Sequence, residues 1–145
     1  MKDSLAGYIK IISANIRTLH RHLQGGQWFE DHEKLADYYE HIDEIEDNVV
    51  EILISIGMKD MSIYDACQQY KVLEIRDYSA GEAFSLVKIY FETLLRMFKE
   101  FKDEVELPNA IKSKFEEHEY WLHLEAKYKL EKLLGKMDMS HLFEK

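Results

Sequence analysis

Apolar residues recur at three- and four-residue steps in four long stretches of this chain, the period of an amphipathic α-helix. The first stripe is Leu5, Tyr8, Ile9, Ile12, Ile16, Leu19 and Leu23. It predicts a helix from about Ser4 to Gln24, capped by Asp3 or Ser4 and ended by Gly25 and Gly26. Trp28 and Phe29 follow as a hydrophobic clamp on the turn. A second helix is predicted from about Glu30 to Ile56, with Leu35, Tyr38, Tyr39, Ile42, Ile45, Val49, Ile52, Leu53 and Ile56 as its apolar face and Gly57 as its stop. Between Ser79 and about Lys102, Phe84, Leu86, Val87, Tyr90, Phe91, Leu94, Leu95, Phe98 and Phe101 mark a third. Pro108 and Asn109 announce the fourth, from about Ala110 to Leu134, with Gly135 as its C-terminal stop. Ile111, Phe115, Leu122, Leu130 and Leu133 face inward there, and Trp121 lies near the middle.

About twenty residues, from Gly57 to Tyr78, join the second and third helices. That is too long for a simple antiparallel turn. Within it Ser62 can cap a short helix, SIYDACQQY, with Asp65 three positions on. Two helical hairpins joined by one crossover make an all-α, ferritin-like four-helix bundle with a short extra helix in the crossover. A single domain over residues 1–145 is expected.

Composition supports helices: one proline and six glycines punctuate 145 residues. No run of about 18 apolar residues suggests a membrane span. The start, MKDSLAGYIKII, has no small-residue cleavage site, so no signal peptide is expected. Cys67, the single cysteine, cannot form an internal disulfide; it is expected to pack, and a reducing cytoplasm fits it. The formal charge is −9, from 28 acidic and 19 basic residues. No basic patch offsets that field for nucleic acid, since Lys2 stands alone at the start and KMDMSHLFEK balances its lysines with acids. Binding of cations suits such a chain better.

Candidate chemistry lies between Leu19 and Glu51, LHRHLQGGQWFEDHEKLADYYEHIDEIEDNVVE. His20 and His32 flank the glycine pair, and Asp47 and Glu51 are four residues apart, on one face of a helix. Two imidazoles and two carboxylates suit iron, zinc or manganese. His32 and Asp47 lie roughly 22 Å apart along one helix, at about 1.5 Å per residue, whereas ligands sit about 2 Å from their metal. If the four share a metal, a second subunit running antiparallel must supply half of them. The same spacing also describes capping histidines at a turn and a solvated acidic face. Asp43, Asp47 and Glu51 repel one another by a few tenths of a kcal/mol per pair, a cost a cation would relieve. His118, Glu119 and His123 are a weaker set, because the histidines point about 140° apart on a helix. No histidine has a glutamate three residues before it, so the Glu-x-x-His motif of di-iron bundles is missing. Internal repeats, a phosphate-binding glycine loop and a nucleophilic triad signature are also lacking.

Leu19-His20, Gly25, Phe29, His32-Glu33, Asp47, Glu51 and Ile56-Gly57 fall at the spacings of the miniferritins, the Dps family (DNA-binding protein from starved cells). SIYDACQQY resembles that family's small helix in the crossover and Trp121-Leu122 its last helix, so the resemblance covers about residues 4 to 135. It implies a hollow twelve-subunit shell with an inter-subunit di-iron or mono-iron site. In that site His20 and His32 of one subunit join Asp47 and Glu51 of its mate. Hydrogen peroxide, or more slowly oxygen, would oxidise Fe(II), and ferric iron would collect inside. Two positions depart from the family pattern. Arg21 stands where a tryptophan often follows the first histidine, and Ala36 where a carboxylate often lies four residues after the second. Both favour the alternative of a structural or binding oligomer with weak or lost ferroxidase activity. The basic N-terminal arm that some members use on DNA is not found either. Twelve subunits at −9 would carry about −108 (12 × −9), so DNA binding is not expected at physiological salt.

Overall fold

The computed structural model describes residues 4–142, with side chains as far as Met137. Its elements in order are α1 (Leu5–Arg21), β1 (Leu23–Gln24), α2 (Trp28–Ser55), α3 (Ile63–Gln69), β2 (Tyr78–Ser79), α4 (Ala80–Glu104) and α5 (Asn109–His123), then a π-helical stretch (Leu124–Leu130) that runs on into α6 (Glu131–Leu142). α1 packs on α2 and α4 on α5, and α1 meets α4 across the bundle. This is the ferritin-like arrangement of two hairpins and a crossover, with α3 as the extra helix. No helix among the described residues is long and apolar enough to cross a membrane.

Caps start the helices as their chemistry requires. Ser4 Oγ accepts the Gly7 N–H at 3.0 Å and Ser62 Oγ the Asp65 N–H at 3.1 Å. Ser79 and Glu82 form a full capping box on α4, each accepting the other's backbone N–H. The core follows the predicted stripes. Leu5, Tyr8, Ile9, Ile12, Ile16, Leu19 and Leu23 are all buried, as are Phe84, Phe91, Phe98, Phe101 and Phe115. Phe115 meets Phe98 edge-on and Phe101 nearly face-on, and each such ring contributes about 2 to 3 kcal/mol by leaving water. Tyr39, Ile52, Ile56, Leu86, Tyr90, Leu95, Ile111 and Leu133 are only partly buried.

Four expectations need correction. The first helix ends at Arg21, not Gln24, because Leu23 and Gln24 pair in parallel with Tyr78 and Ser79. Gly135 does not stop the last helix, which continues to Leu142. A glycine ends a helix by adopting positive φ, and among the described residues only Gly25, Gly26 and Gly57 do so. Cys67 is exposed rather than packed, because α3 buries only Ala66 beside it. Phe29 is 82% exposed and meets Trp28 edge-on at 5.2 Å, so the clamp on the turn is Trp28, whose indole N–H donates to Leu23 O.

The crossover is pinned by a buried polar residue that its side-chain chemistry explains. Asn15 Nδ2 donates to Lys71 O (3.1 Å) and Tyr90 Oη (3.3 Å), and its Oδ1 accepts the Leu73 N–H (3.0 Å). One α1 amide thus satisfies groups from both the crossover and α4.

Candidate functional site

The turn between α1 and α2 is fastened from three sides. Gly25 and Gly26 take φ of +79° and +56°, conformations that side chains resist. The Tyr78 N–H donates to His22 O at 3.0 Å, and the indole N–H of Trp28 donates to Leu23 O at 3.0 Å. This closure brings the last turn of α1 against the first turns of α2.

His20 and His32 meet there. His20 Nδ1 lies 2.7 Å from His32 O, and His32 Nδ1 lies 2.8 Å from His20 O. A carbonyl only accepts, so each Nδ1 must carry the proton, which leaves each Nε2 of the neutral rings with a free lone pair. Backbone-oriented histidines of this kind are the form that ligates metals. The rings stack at 3.7 Å between centroids, inclined by 19°. Burial is the main reason that the His20 pKa is lowered; the hydrogen bond to His32 O opposes it, and the charges of His32 and Arg21 add to it. His20 is thus kept neutral, and ready to bind a cation, as pH falls toward the ordinary histidine value.

Asp47 and Glu51 are not brought to these rings. Both lie exposed on α2, with Asp47 about 22 Å along the helix from His32 by the rise of roughly 1.5 Å per residue. Neither side chain has an ion pair or hydrogen bond among the described residues, unlike those of Asp43 and Glu46. Asp43 is held by Arg17 at 2.6 Å and by Ser13, and Glu46 by Lys10 at 3.1 Å. The acidic face therefore divides, with α1 engaging one edge while Asp47 and Glu51 stay open. No group of three or more His, Cys, Asp or Glu that could hold a metal forms among the described residues of one chain. His118 is half-buried with Nε2 unpaired, and His123 is exposed beside Tyr128, so those two do not converge.

A second polar region escaped the sequence reading. Tyr38, His41, Trp121 and Glu125 line an open cavity of about 490 Å³ between α2 and the π-helical stretch. The widened turn carries Glu125 inward to 6% exposure, where Lys129 Nζ approaches it at 2.8 Å without hydrogen-bond alignment. Burial raises the Tyr38 pKa, and the facing Glu125 raises it further. Trp121, expected near the middle of the bundle, is partly buried and stacks on His41 at 3.6 Å. The sequence signal for the π stretch is slight, since it only lengthens the apolar spacing from Leu122 to Leu130.

Four helices with one crossover and a short helix within it define a ferritin-like bundle. More narrowly, the fold is that of the Dps proteins. The Dps protein of Bacillus brevis superposes with a TM-score of 0.77 over 92% of this chain and 99% of that one, at 21% identity. For Dps of Staphylococcus aureus the score is 0.67, at 13% identity over 90% of this chain and 89% of that one. For Dps of Listeria innocua soaked with zinc it is 0.60, at 17% identity over 91% and 97%. No protein-family profile and no curated protein sequence matches this chain.

Proposed function

We propose that this chain, as a single Dps-type domain, is a miniferritin that oxidises Fe(II) at inter-subunit sites and stores ferric iron within a cytoplasmic homo-oligomeric shell, a dodecamer. His20 and His32 of one subunit and Asp47 and Glu51 of its mate are the proposed ligands. The observation that carries this reading is the reciprocal lock of His20 and His32, two prepared nitrogen ligands with no carboxylate partner among the described residues of their own chain. The rings also favour two ions over one. Their centroids lie 3.7 Å apart and their planes are nearly parallel, inclined by 19°, so an ion lying in one ring's plane at about 2 Å from its nitrogen would lie out of the other's. Each imidazole then serves its own Fe(II), and the mate's carboxylates can bridge the two.

Exposed apolar residues mark where the mate would lie. By the 100° per residue of an α-helix, Phe29, Asp47, Glu51 and Ile54 fall within about 60° of one another on α2. Phe29 and Ile54 stand exposed near opposite ends of that face, with exposed Ile63 and Tyr64 in α3. Antiparallel pairing about the middle of α2 covers these side chains and carries Asp47 and Glu51 to the other subunit's histidines.

In the reaction each Fe(II) gives one electron. Hydrogen peroxide takes both, its O–O bond breaks, and with two protons it leaves as two waters. Oxygen is the slower oxidant. DNA is not a partner, because a shell of this charge repels phosphate. The second reading, a structural oligomer with weak or lost iron chemistry, rests on Arg21 and Ala36.

Anaerobic Fe(II) titration followed by peroxide, monitored by ferric absorbance, tests the proposal beside a His32→Ala, Asp47→Ala double variant. Fast, saturable oxidation in the parent and slow oxidation in the variant are expected. Equal, slow traces would leave the structural reading.

A further inference from the structure

The open cavity between α2 and the π-helical stretch joins carboxylates to aromatic rings. Glu30, Glu33 and Asp37 of α2 and Glu125 of the π-helical stretch line it, together with Tyr38 and Trp121. It measures about 490 Å³, and among the described residues no three of its acidic or imidazole side chains group closely enough to hold one metal ion. We propose that this cavity binds an aliphatic polyamine, with ammonium groups on the carboxylates and methylenes against the rings. The inference stands apart from the ferroxidase reading.

Glu125 is the group that asks for a ligand. It is 6% exposed and lies in the cavity wall, and its Oε2 accepts no hydrogen bond. A buried carboxylate oxygen in that state is unfavourable until a donor reaches it. The nearest group is itself a primary alkylammonium. Lys129 Nζ lies 2.8 Å from Oε2, out of hydrogen-bond alignment, on a side chain that is 57% exposed. A ligand ammonium entering from the cavity can align with Oε2 and take that place. Lys129 then turns into solvent with little loss, as an exposed lysine does.

The row on α2 has the spacing of such a ligand. At 100° per residue, Glu30, Glu33 and Asp37 fall within about 60° of one another, at steps of about 4.5 and 6 Å along the axis. Bonds of about 1.5 Å place ammonium groups joined by three or four methylenes about 5 to 6 Å apart. None of these three side chains has an ion pair or hydrogen bond among the described residues. Lys34, the second lysine at the cavity, extends over the Phe84 ring at 5.9 Å. Four carboxylates and two lysines leave −2 (−4 + 2), the charge that a diammonium ion offsets. A hydrated metal ion offers equal charge but no apolar chain for Tyr38 and for Trp121, whose ring is fixed by stacking on His41.

The test is calorimetric titration of the assembled, iron-free protein with 1,4-diaminobutane and spermidine, beside 1-aminobutane and magnesium chloride at matched ionic strength. One site per subunit is expected, with the diamine about tenfold or more tighter than the monoamine and retained against equimolar magnesium. A Glu30→Gln, Asp37→Asn variant, changed only at exposed positions, should bind about tenfold more weakly, because two partly solvated charge pairs are lost. Lys129→Met should bind several-fold more tightly. Lys132→Met, equal in charge change but exposed and outside the lining, should match the parent. Glu125→Gln should bind weakly, and the variants at exposed positions decide the matter even where it fails to fold. Equal affinity for diamine and monoamine, displacement by equimolar magnesium, or equal tightening in both lysine variants would show only a diffuse counter-ion layer and overturn the proposal. Slow Fe(II) oxidation in the parent would leave it standing, since His20 and His32 take no part in it.

Discussion

Replacing Asn15 with alanine isolates how the crossover is held. The side chain is 1% exposed and makes three hydrogen bonds, to Lys71 O, Tyr90 Oη and the Leu73 N–H. Each is worth about 1 kcal/mol net, and a buried group left unpaired adds its own desolvation cost. Asn15→Ala should therefore cost about 3 kcal/mol. For a chain of this size that lowers Tm by roughly 6 to 12 °C, at about 2 to 4 °C per kcal/mol. Tyr90→Phe removes only the 3.3 Å contact and leaves the backbone groups paired, so it should cost about 1 kcal/mol or less. Both variants are compared with the parent by calorimetry at one protomer concentration, since assembly makes Tm concentration-dependent. The crossover carries Ile63 and Tyr64, which the proposed dimer buries, so Asn15→Ala should also dissociate at higher concentration than the parent. A loss below about 1 kcal/mol, or one equal to that of Tyr90→Phe, would refute the idea that the amide organises this segment.

Phe29→Arg combined with Ile54→Lys should shift native mass toward monomer and abolish fast iron oxidation with all four proposed ligands present; an intact oligomer would count against that face. Gly25→Ala places a side chain at φ +79° and should cost about 1 to 2 kcal/mol in chemical denaturation, together with weaker Co(II) binding. Unchanged Co(II) affinity would show that the turn does not set the histidine pair. Burial is the leading cause that lowers the pKa of His20, His41 and His118. The unfolded chain therefore takes up protons first as pH falls below about 6.5, and stability drops until the folded values are reached. Thermal melts should show Tm lower near pH 5.5 than near pH 7.5, and a flat profile would contradict that sign.

Much of this molecule follows from periodicity alone. Leu5 to Leu19 on α1 and Phe84 to Phe101 on α4 are buried because an apolar stripe at helical spacing has only one way to leave water. Ser62 and Ser79 start helices because their hydroxyls satisfy orphan amides within three residues, a wholly local effect. Gly135 misleads for the complementary reason: a glycine permits a helix to end without requiring it, and packing of the flanking turns carries α6 past it. The parallel pairing of Leu23 with Tyr78 and the inward turn of Glu125 depend on segments distant in sequence or on a shifted helical register. No local pattern encodes them. Spacing placed His20 and His32 on either side of a glycine turn and set Asp47 out of their reach, because the rise of a helix is constant. Tertiary structure decided that the two rings lock onto each other's carbonyls and that Trp28 joins their stack. Those contacts arise only once α1 and α2 close face to face, at distances the linear order of residues does not specify.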